Sequence, residues 1–221
     1  MIEYRAGDVG NTAYLAAPRD GGPGVLVLHA WWGLTPFFKG LCDRLAGEGF
    51  IALAPYLYGN RATAATIEEA ERLVAGMDGD RTYALITAAI DRLRSSDGVQ
   101  GENIGVVGFS LGGAWALLLE DHISAVVTFY EAGNPENISA DASFQGHFAE
   151  QDEYAPPEDV RRLEEGLRAK GREIEVYTYP GTGHWFFEED RPGHYNADAA
   201  QLAWERTVRF LRDRLTSAGK A

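Results

Sequence analysis

Short apolar runs alternate with amphipathic stretches along the whole chain. Strands are predicted at 11–17, 24–30, 50–59, 103–109, 124–131, 143–152 and 172–180. The run at 24–30 is almost continuously apolar, which is typical of a strand that is covered on both faces of a sheet.

Helical patterns fill the intervals between most of these strands. They are predicted at 36–47, 66–75, 80–95, 111–120, 157–171 and 197–215. Thr35 and Pro36 have the residue types of an N-cap and of the first helical position. Thr66 and Glu69 have the spacing of a capping box, and Asp80 is a further candidate N-cap.

The alternation of strands and helices runs through the chain without an internal repeat or a shift in composition. It predicts a single α/β domain over residues 1–221, with a doubly wound, mostly parallel sheet and helices on both faces. Ligands bind beyond the carboxyl ends of the strands in such sheets. We therefore expect functional side chains directly after strands.

The charge of the chain argues against two classes of partner. Its 33 acidic and 20 basic side chains give a net charge of -13, which repels nucleic acid and anionic lipid. The N-terminal residues lack the order of a signal peptide, and no apolar run approaches the ~20 residues of a membrane span. We expect a cytoplasmic protein that binds neither nucleic acid nor membranes.

The chain contains one cysteine, Cys42, which excludes an internal disulfide and the multi-cysteine zinc sites. Cys42 continues the apolar pattern of a predicted helix, together with Phe38, Leu41 and Leu45. We expect a small buried core residue rather than a reactive thiol, and we predict no metal site.

One serine stands in a glycine-rich turn between a predicted strand and a predicted helix. The segment from Gly108 to Gly112, GFSLG, fits G-x-S-x-G in the strand–turn–helix context that this motif requires. Neighbouring glycines allow the backbone to approach closely around a strained turn, which holds the hydroxyl out. We interpret Ser110 as a candidate nucleophile. The alternative is an ordinary glycine-rich turn with an idle serine.

A serine nucleophile needs a base, and the chain has five histidines. His184 follows the last predicted strand, in the loop YPGTGHWFF. His29 and His147 lie within predicted strands, His122 follows the helix after the serine, and His194 lies in a turn with the character of a surface segment. His184 is the predicted base by position and by elimination.

The base needs a carboxylate to orient it. Asp152 lies just beyond a predicted strand, with Glu150 and Glu153 as rivals, and a solvated acidic loop is the alternative reading of all three. We favour Asp152 because the chain order Ser110, Asp152, His184 matches that of α/β hydrolases.

The sequence resembles the dienelactone hydrolase family over nearly its whole length. The segments that carry the resemblance are VLHAWWGL, PYLYG, GFSLGG, AEQDEYAPP, GTGHWFF and AQLAWERTVRFL. The resemblance implies an α/β-hydrolase fold and hydrolysis of an ester-like bond. It also implies that the backbone N–H groups of Trp31 and Leu111 form the oxyanion hole. Acyl transfer by the predicted triad needs no metal or organic cofactor.

The chain departs from the family pattern at three positions. Ser110 stands where the family's characteristic nucleophile is cysteine, and Ala30 stands where many members carry a glutamate that restrains the thiol. Glu188 stands where the dienelactone enzymes carry an arginine for the substrate carboxylate. We expect a carboxylate substrate to meet repulsion at Glu188 instead of a bidentate clamp.

These features predict a hydrolase of a small-molecule ester or lactone, acting through an acyl-enzyme, as a monomer or homodimer. A thioesterase or a peptidase with the same triad is an alternative, as is a non-catalytic binding protein. Residues 56–80 are a candidate cover for the site. Aromatic residues near the predicted strand ends either line an acyl pocket or pack as core beneath the loops; they are Trp31, Trp32, Tyr56, Tyr130, Trp185 and Phe186.

Overall fold

The computed structural model describes residues 1–59, 61–120 and 123–216. The strands in these residues are β1 (Ile2–Ala6), β2 (Val9–Ala16), β3 (Gly22–Leu28), β4 (Ile51–Pro55), β5 (Val99–Phe109), β6 (Ile123–Phe129), β7 (Ser143–Gln151) and β8 (Ile174–Gly183). The helices are α1 (Pro36–Gly47), α2 (Ile67–Ala75), α3 (Gly79–Arg94), α4 (Leu111–Leu117), α5 (Pro157–Ala169) and α6 (Ala197–Thr216), with a short 3₁₀ turn at Pro135–Asn137.

The strands form one sheet in the order β1-β2-β4-β3-β5-β6-β7-β8. The β1–β2 and β2–β4 pairs are antiparallel, and all other pairs are parallel. A row of buried residues crosses the centre, where Leu26 pairs with Val106, Val106 with Val126, and Val126 with Phe144. The mostly parallel sheet predicted from the apolar runs is confirmed.

Successive residues of β3 face opposite layers of the core, as the pleat of a strand requires. Val25 and Val27 pack in the layer that contains the inner faces of α1 and α6. Leu26 and Leu28 pack in the layer that contains α3, α4 and α5. The sheet is therefore covered by helices on both sides, which explains why its central strands are apolar throughout.

The edge of the sheet differs from the sequence prediction. Strand β1 was not predicted, because Ile2–Ala6 mixes apolar and charged residues and pairs with β2 only, at the sheet edge. The predicted strand at 50–59 ends at Pro55. The predicted helix at 111–120 ends at Leu117.

Two predicted helix caps also need correction. Asp78, not Asp80, caps α3, because the Asp78 carboxylate accepts a hydrogen bond from the Arg81 amide at 3.0 Å. Thr35 does occupy the N-cap of α1, but its hydroxyl bonds the Asp190 carboxylate at 3.3 Å and caps no amide.

Cys42 is a fully buried free thiol, and burial raises its pKa, so the expected core role is confirmed. No helix within the described ranges has the length and apolar character needed to cross a bilayer.

Helix α4 packs very closely on the end of β3. A Cβ atom added at Gly112 would lie 2.2 Å from the Leu28 carbonyl oxygen and 2.6 Å from that of His29. Only glycine fits at this contact, because the atoms it meets belong to the backbone. The contact holds the residues that follow β3 beside the start of α4.

We predict that Gly112→Ala lowers the free energy of unfolding by about 2 kcal/mol or more, because the backbone must move to admit the methyl group. Gly40→Ala in α1 is the matched control, since nothing lies within 4 Å of its added Cβ. The control should raise stability by about 0.5–1 kcal/mol. Urea denaturation measures both variants, and equal stability of the two would contradict the packing described.

Candidate active site

Ser110 lies between the end of β5 and the start of α4, on a left-handed backbone with φ 48° and ψ −113°. Its amide donates to the Phe129 carbonyl at 2.9 Å, and its carbonyl accepts from the Ala114 amide at 3.0 Å. A Cβ at Gly108 would lie 2.3 Å from the Gly112 carbonyl oxygen, so the turn closes only with glycine there. The strained turn presents the serine side chain at the carboxyl edge of the sheet.

His184 follows β8 directly and reaches the serine. Its Nε2 atom lies 3.1 Å from the Ser110 hydroxyl oxygen. Its Nδ1 atom lies 2.9 Å and 2.8 Å from the two carboxylate oxygens of Asp152. Because a carboxylate only accepts, Nδ1 carries the proton, and the Nε2 lone pair faces the hydroxyl.

Asp152 follows β7 and is held in place by its own turn. Its Oδ1 atom accepts hydrogen bonds from the amides of Tyr154 at 2.9 Å and Ala155 at 3.2 Å. Its side chain has no exposed surface, and that of His184 is 6 % exposed. The structure thus brings together the three side chains that the sequence pattern selected, each after a different parallel strand.

The rival residues lie in other environments. His147 is fully buried and bonds Tyr179, Gln145 and Thr207, and burial lowers its pKa to about 3. His194 packs edge-on against Trp185, and His122 lies outside the described residues. The carboxylate of Glu150 accepts from the Gly181 amide, and Glu153 is exposed. His29 is 1 % exposed, and its ring bonds the Ala30 carbonyl and the Leu57 amide.

Aromatic rings enclose the imidazole of His184. Ring centroids lie 4.8 Å away for Tyr154, 4.9 Å for Tyr130 and 5.0 Å for Trp185. Tyr130 and Trp185 have positive φ angles of 50° and 67°, so backbone strain is concentrated around the site. Tyr154 is a site residue beyond those predicted from the sequence, although its position two residues after Asp152 is a usable signal.

Trp31, Trp32, Tyr154 and Trp185 form an aromatic cluster beside His184. Trp31 stacks on Trp185 at 6.1 Å, and Trp32 contacts both at 5.3 and 5.4 Å. A cavity of about 480 Å³ opens next to this cluster; Asp152, Tyr154, His184, Trp185 and His194 are among its lining residues. The Ala64 amide bonds the Trp32 carbonyl at 2.9 Å, so part of the 56–80 segment lies against the cluster.

The other aromatic residues considered for the pocket are buried in the core. Tyr130 and Phe186 have no exposed surface, and their rings pack on one another at 5.5 Å. Tyr56 is 6 % exposed and lies near the charged ends of Lys39 and Arg61. The Tyr130 ring also lies against that of His184, with centroids 4.9 Å apart.

Glu188 does not meet the site in the way expected. Its side chain is fully buried and lies beside the hydroxyl of Tyr130, which is buried as well. Burial, helped by the charge of Asp190 and opposed by that of Arg191, raises the pKa of Glu188 to about 8. The group is therefore mostly neutral at pH 7. The expected repulsion of a substrate carboxylate is wrong, because burial removes both the access and the charge.

Glu131 is a second carboxylate near the trio that the sequence analysis did not select. It follows Tyr130 at the end of β6, and its Oε1 atom accepts from the Gly133 amide at 2.7 Å. Burial raises the pKa of Glu131, and the hydrogen bond from the Gly133 amide opposes that shift. Glu131 packs beside α4, since a Cβ at Gly113 would lie 2.7 Å from the Glu131 Cβ.

Two backbone N–H groups near the serine are available to a ligand. Leu111 is the first residue of α4, and Trp31 lies in the loop that α4 touches after β3. Neither N–H donates a hydrogen bond to another described residue. No cluster of three or more His, Cys, Asp or Glu side chains that suits a metal ion occurs within residues 1–59, 61–120 and 123–216.

The fold, with a serine on a strained strand–helix turn and a histidine and an aspartate after later strands, defines an α/β hydrolase. The dienelactone hydrolase family model matches residues 12–215. The chain therefore belongs to the dienelactone hydrolase family, and it is a hydrolase of carboxylic esters.

Similar proteins span almost the same length. "Protein usf" of Aquifex pyrophilus is 34% identical, with 98% of this chain and 99% of that protein covered. A protein of Aquifex aeolicus, named provisionally as a carboxymethylenebutenolidase, is 30% identical, with 96% and 97% covered. The crystal structure of P91, a dienelactone hydrolase-like promiscuous phosphotriesterase from metagenomic libraries, matches with a TM-score of 0.80 at 22% identity, covering 96% of each chain.

We predict that Glu188→Gln changes how stability depends on pH. Between pH ~4.5 and ~8 the folded chain keeps a proton on Glu188 that the unfolded chain has lost, so the wild-type free energy of unfolding falls as pH rises. Glutamine does not titrate, so the variant does not lose stability in this way as pH rises. Its stability relative to wild type should rise by up to about 1.4 kcal/mol per pH unit across that window and level off above it.

Urea denaturation at pH 5, 6, 7 and 8 measures this difference. Glu189→Gln is the matched control, because Glu189 is the exposed neighbour and its replacement should leave the pH dependence unchanged. Parallel stability curves for Glu188→Gln and wild type would show that Glu188 is ionised in the fold, contrary to the burial described.

Proposed function

We propose that this chain hydrolyses a small carboxylic ester or lactone in two acyl-transfer steps. Ser110 is the nucleophile, His184 the general base, and Asp152 the carboxylate that orients the base. The observation that carries the proposal is the hydrogen-bonded chain from Asp152 through His184 Nδ1 and Nε2 to the Ser110 hydroxyl, at 2.8 and 3.1 Å. A serine hydroxyl becomes a useful nucleophile only with such a base beside it.

In the first step, His184 Nε2 takes the proton of the Ser110 hydroxyl while the oxygen attacks the ester carbonyl carbon. The imidazolium that forms is stabilised by the carboxylate of Asp152, whose position is fixed by two backbone amides. The imidazolium then gives its proton to the leaving alkoxide. The carbon–oxygen bond breaks, and the acyl group stays on Ser110.

In the second step, water replaces the leaving alcohol. His184 removes a proton from that water as it attacks the acyl carbon, and then returns the proton to the Ser110 oxygen. The products are the free carboxylic acid and the original serine. With a lactone, the alcohol and the acid are the two ends of one molecule.

The negative oxygen of each tetrahedral intermediate needs donors. The unpartnered N–H groups of Trp31 and Leu111 are our candidates for this oxyanion hole, because they flank the serine and donate to no other described residue. One such donor is worth roughly 3 kcal/mol of transition-state stabilisation in serine hydrolases.

The substrate class also follows from the surroundings of the trio. The aromatic cluster offers apolar surface beside His184, whereas the net charge of -13 disfavours anionic substrates. We therefore expect neutral esters and lactones to react faster than dicarboxylates. A panel of p-nitrophenyl esters, simple lactones, carboxymethylenebutenolide, acyl thioesters and short peptides ranks these possibilities by kcat/KM.

We predict that Ser110→Ala and His184→Ala each lower kcat for p-nitrophenyl butyrate by roughly 10⁴ to 10⁶, because each removes a partner that acts only in the reaction. Both variants should retain the fold, as judged by circular dichroism and thermal unfolding. Ser95→Ala is the matched control, since its exposed hydroxyl bonds the carbonyl of Arg92, outside the site. A loss smaller than tenfold for either site variant would reject the assignment.

A further inference from the structure

The peptide unit between Ala30 and Trp31 is held firmly on its carbonyl side. The Ala30 oxygen accepts from His29 Nδ1 at 2.7 Å and from the Gly33 amide at 3.1 Å. The other ring nitrogen of His29, Nε2, accepts from the Leu57 amide at 3.2 Å. Since an amide N–H can only donate, Nε2 is unprotonated, and the ring proton lies on Nδ1, where it donates to Ala30.

The next peptide unit is held as well. The Tyr58 hydroxyl donates to the Trp31 carbonyl oxygen at 2.6 Å. The ring of Tyr58 also packs on that of His29, with centroids 5.7 Å apart. Leu57 and Tyr58 follow β4, so the chain after one strand supports the loop after its neighbour β3.

His29 and Tyr58 both keep their donor protons near neutral pH. His29 is 1 % exposed, and burial lowers its pKa to about 4. Burial raises the pKa of Tyr58, so its hydroxyl remains protonated. The hydrogen bonds to the Ala30 and Trp31 carbonyls therefore persist across the range in which a neutral imidazole base functions.

The two contacts fix the direction of one N–H group. In a trans peptide the C=O and the N–H point in opposite directions, so a bond that fixes the Ala30 oxygen also fixes the Trp31 N–H. The bond from Tyr58 fixes the plane on the other side of the Trp31 Cα. Together they leave the Trp31 backbone little freedom to rotate its N–H.

We propose that His29 and Tyr58 are positioning residues for the oxyanion hole: they hold the peptide planes on either side of Trp31 so that its N–H stays directed at the developing oxyanion. This proposal rests on the proposed function, in which that N–H is one of two donors. Loss of an oxyanion donor costs about 10² to 10³ in kcat in serine hydrolases. Loosening the donor without deleting it should cost less, about 10- to 100-fold.

The test is Tyr58→Phe, which removes only the hydroxyl from a partly exposed ring. We expect kcat for p-nitrophenyl butyrate to fall about 10- to 100-fold while KM stays within about twofold. Affinity for a phenylboronic acid, which forms a tetrahedral adduct on the serine, should weaken by the same factor as kcat. Tyr14→Phe is the matched control, because it deletes a hydroxyl that bonds Asp43 at 2.8 Å elsewhere on the surface.

A second pair of variants tests His29. His29→Asn keeps an N–H donor within reach of the Ala30 carbonyl, whereas His29→Leu has similar bulk and no donor. We expect the leucine variant to lose at least as much kcat as Tyr58→Phe, and asparagine to restore most of it. If His29→Leu does not fold, Tyr58→Phe still decides the question by itself.

The outcomes separate the two proposals. Wild-type kcat and boronate affinity in Tyr58→Phe would overturn the positioning role. A rise in KM by the same factor as the loss of boronate affinity in that variant would also overturn it. A purely structural role weakens binding of the substrate and of the transition state alike. Substantial activity in Ser110→Ala would instead reject the proposed function, whereas an inactive Ser110→Ala beside a normal Tyr58→Phe would reject the positioning role alone.

Discussion

The left-handed backbone of Ser110 is the constraint on which the site depends. An L-residue with φ 48° is disfavoured in isolation, and here it is held by the Phe129 carbonyl, by the first turn of α4 and by the contact of Gly108 with Gly112. A second close contact, of Gly112 with the carbonyls of Leu28 and His29, packs α4 against the end of β3, where the Trp31 loop begins. The strained turn and this contact together position the hydroxyl and both candidate oxyanion donors.

The interior of the fold could be predicted because its physical signal is strong. Strands such as β3 and β5 are apolar on both faces, and only a sheet covered by helices on both sides accounts for that pattern. The edge was missed because Ile2–Ala6 gains its order from pairing with β2 and not from its own composition. The helix caps predicted by local rules lie within a residue or two of the observed caps. The partner of the Thr35 hydroxyl lies 155 residues away in the chain, so no local rule predicts that contact.

Chain order and strand position selected Ser110, Asp152 and His184, since parallel strands end at one edge of the sheet. Sequence position could not indicate which side of a loop each residue faces. Phe186 and Glu188 turned out to be buried, and Tyr154 covers the imidazole. The hydrogen bond from the Tyr58 hydroxyl to the Trp31 carbonyl joins the loops that follow two different strands. No local sequence pattern predicts such a contact.

A crystal structure of the protein after reaction with an ethyl fluorophosphonate tests the central claim most directly. Our account predicts a phosphorus–oxygen bond to the Ser110 side chain, with the phosphoryl oxygen within hydrogen-bonding distance of the Trp31 and Leu111 amides and His184 still bonded to Asp152. Phosphonylation at another residue, or an adduct on Ser110 whose phosphoryl oxygen points away from both amides, would contradict the account.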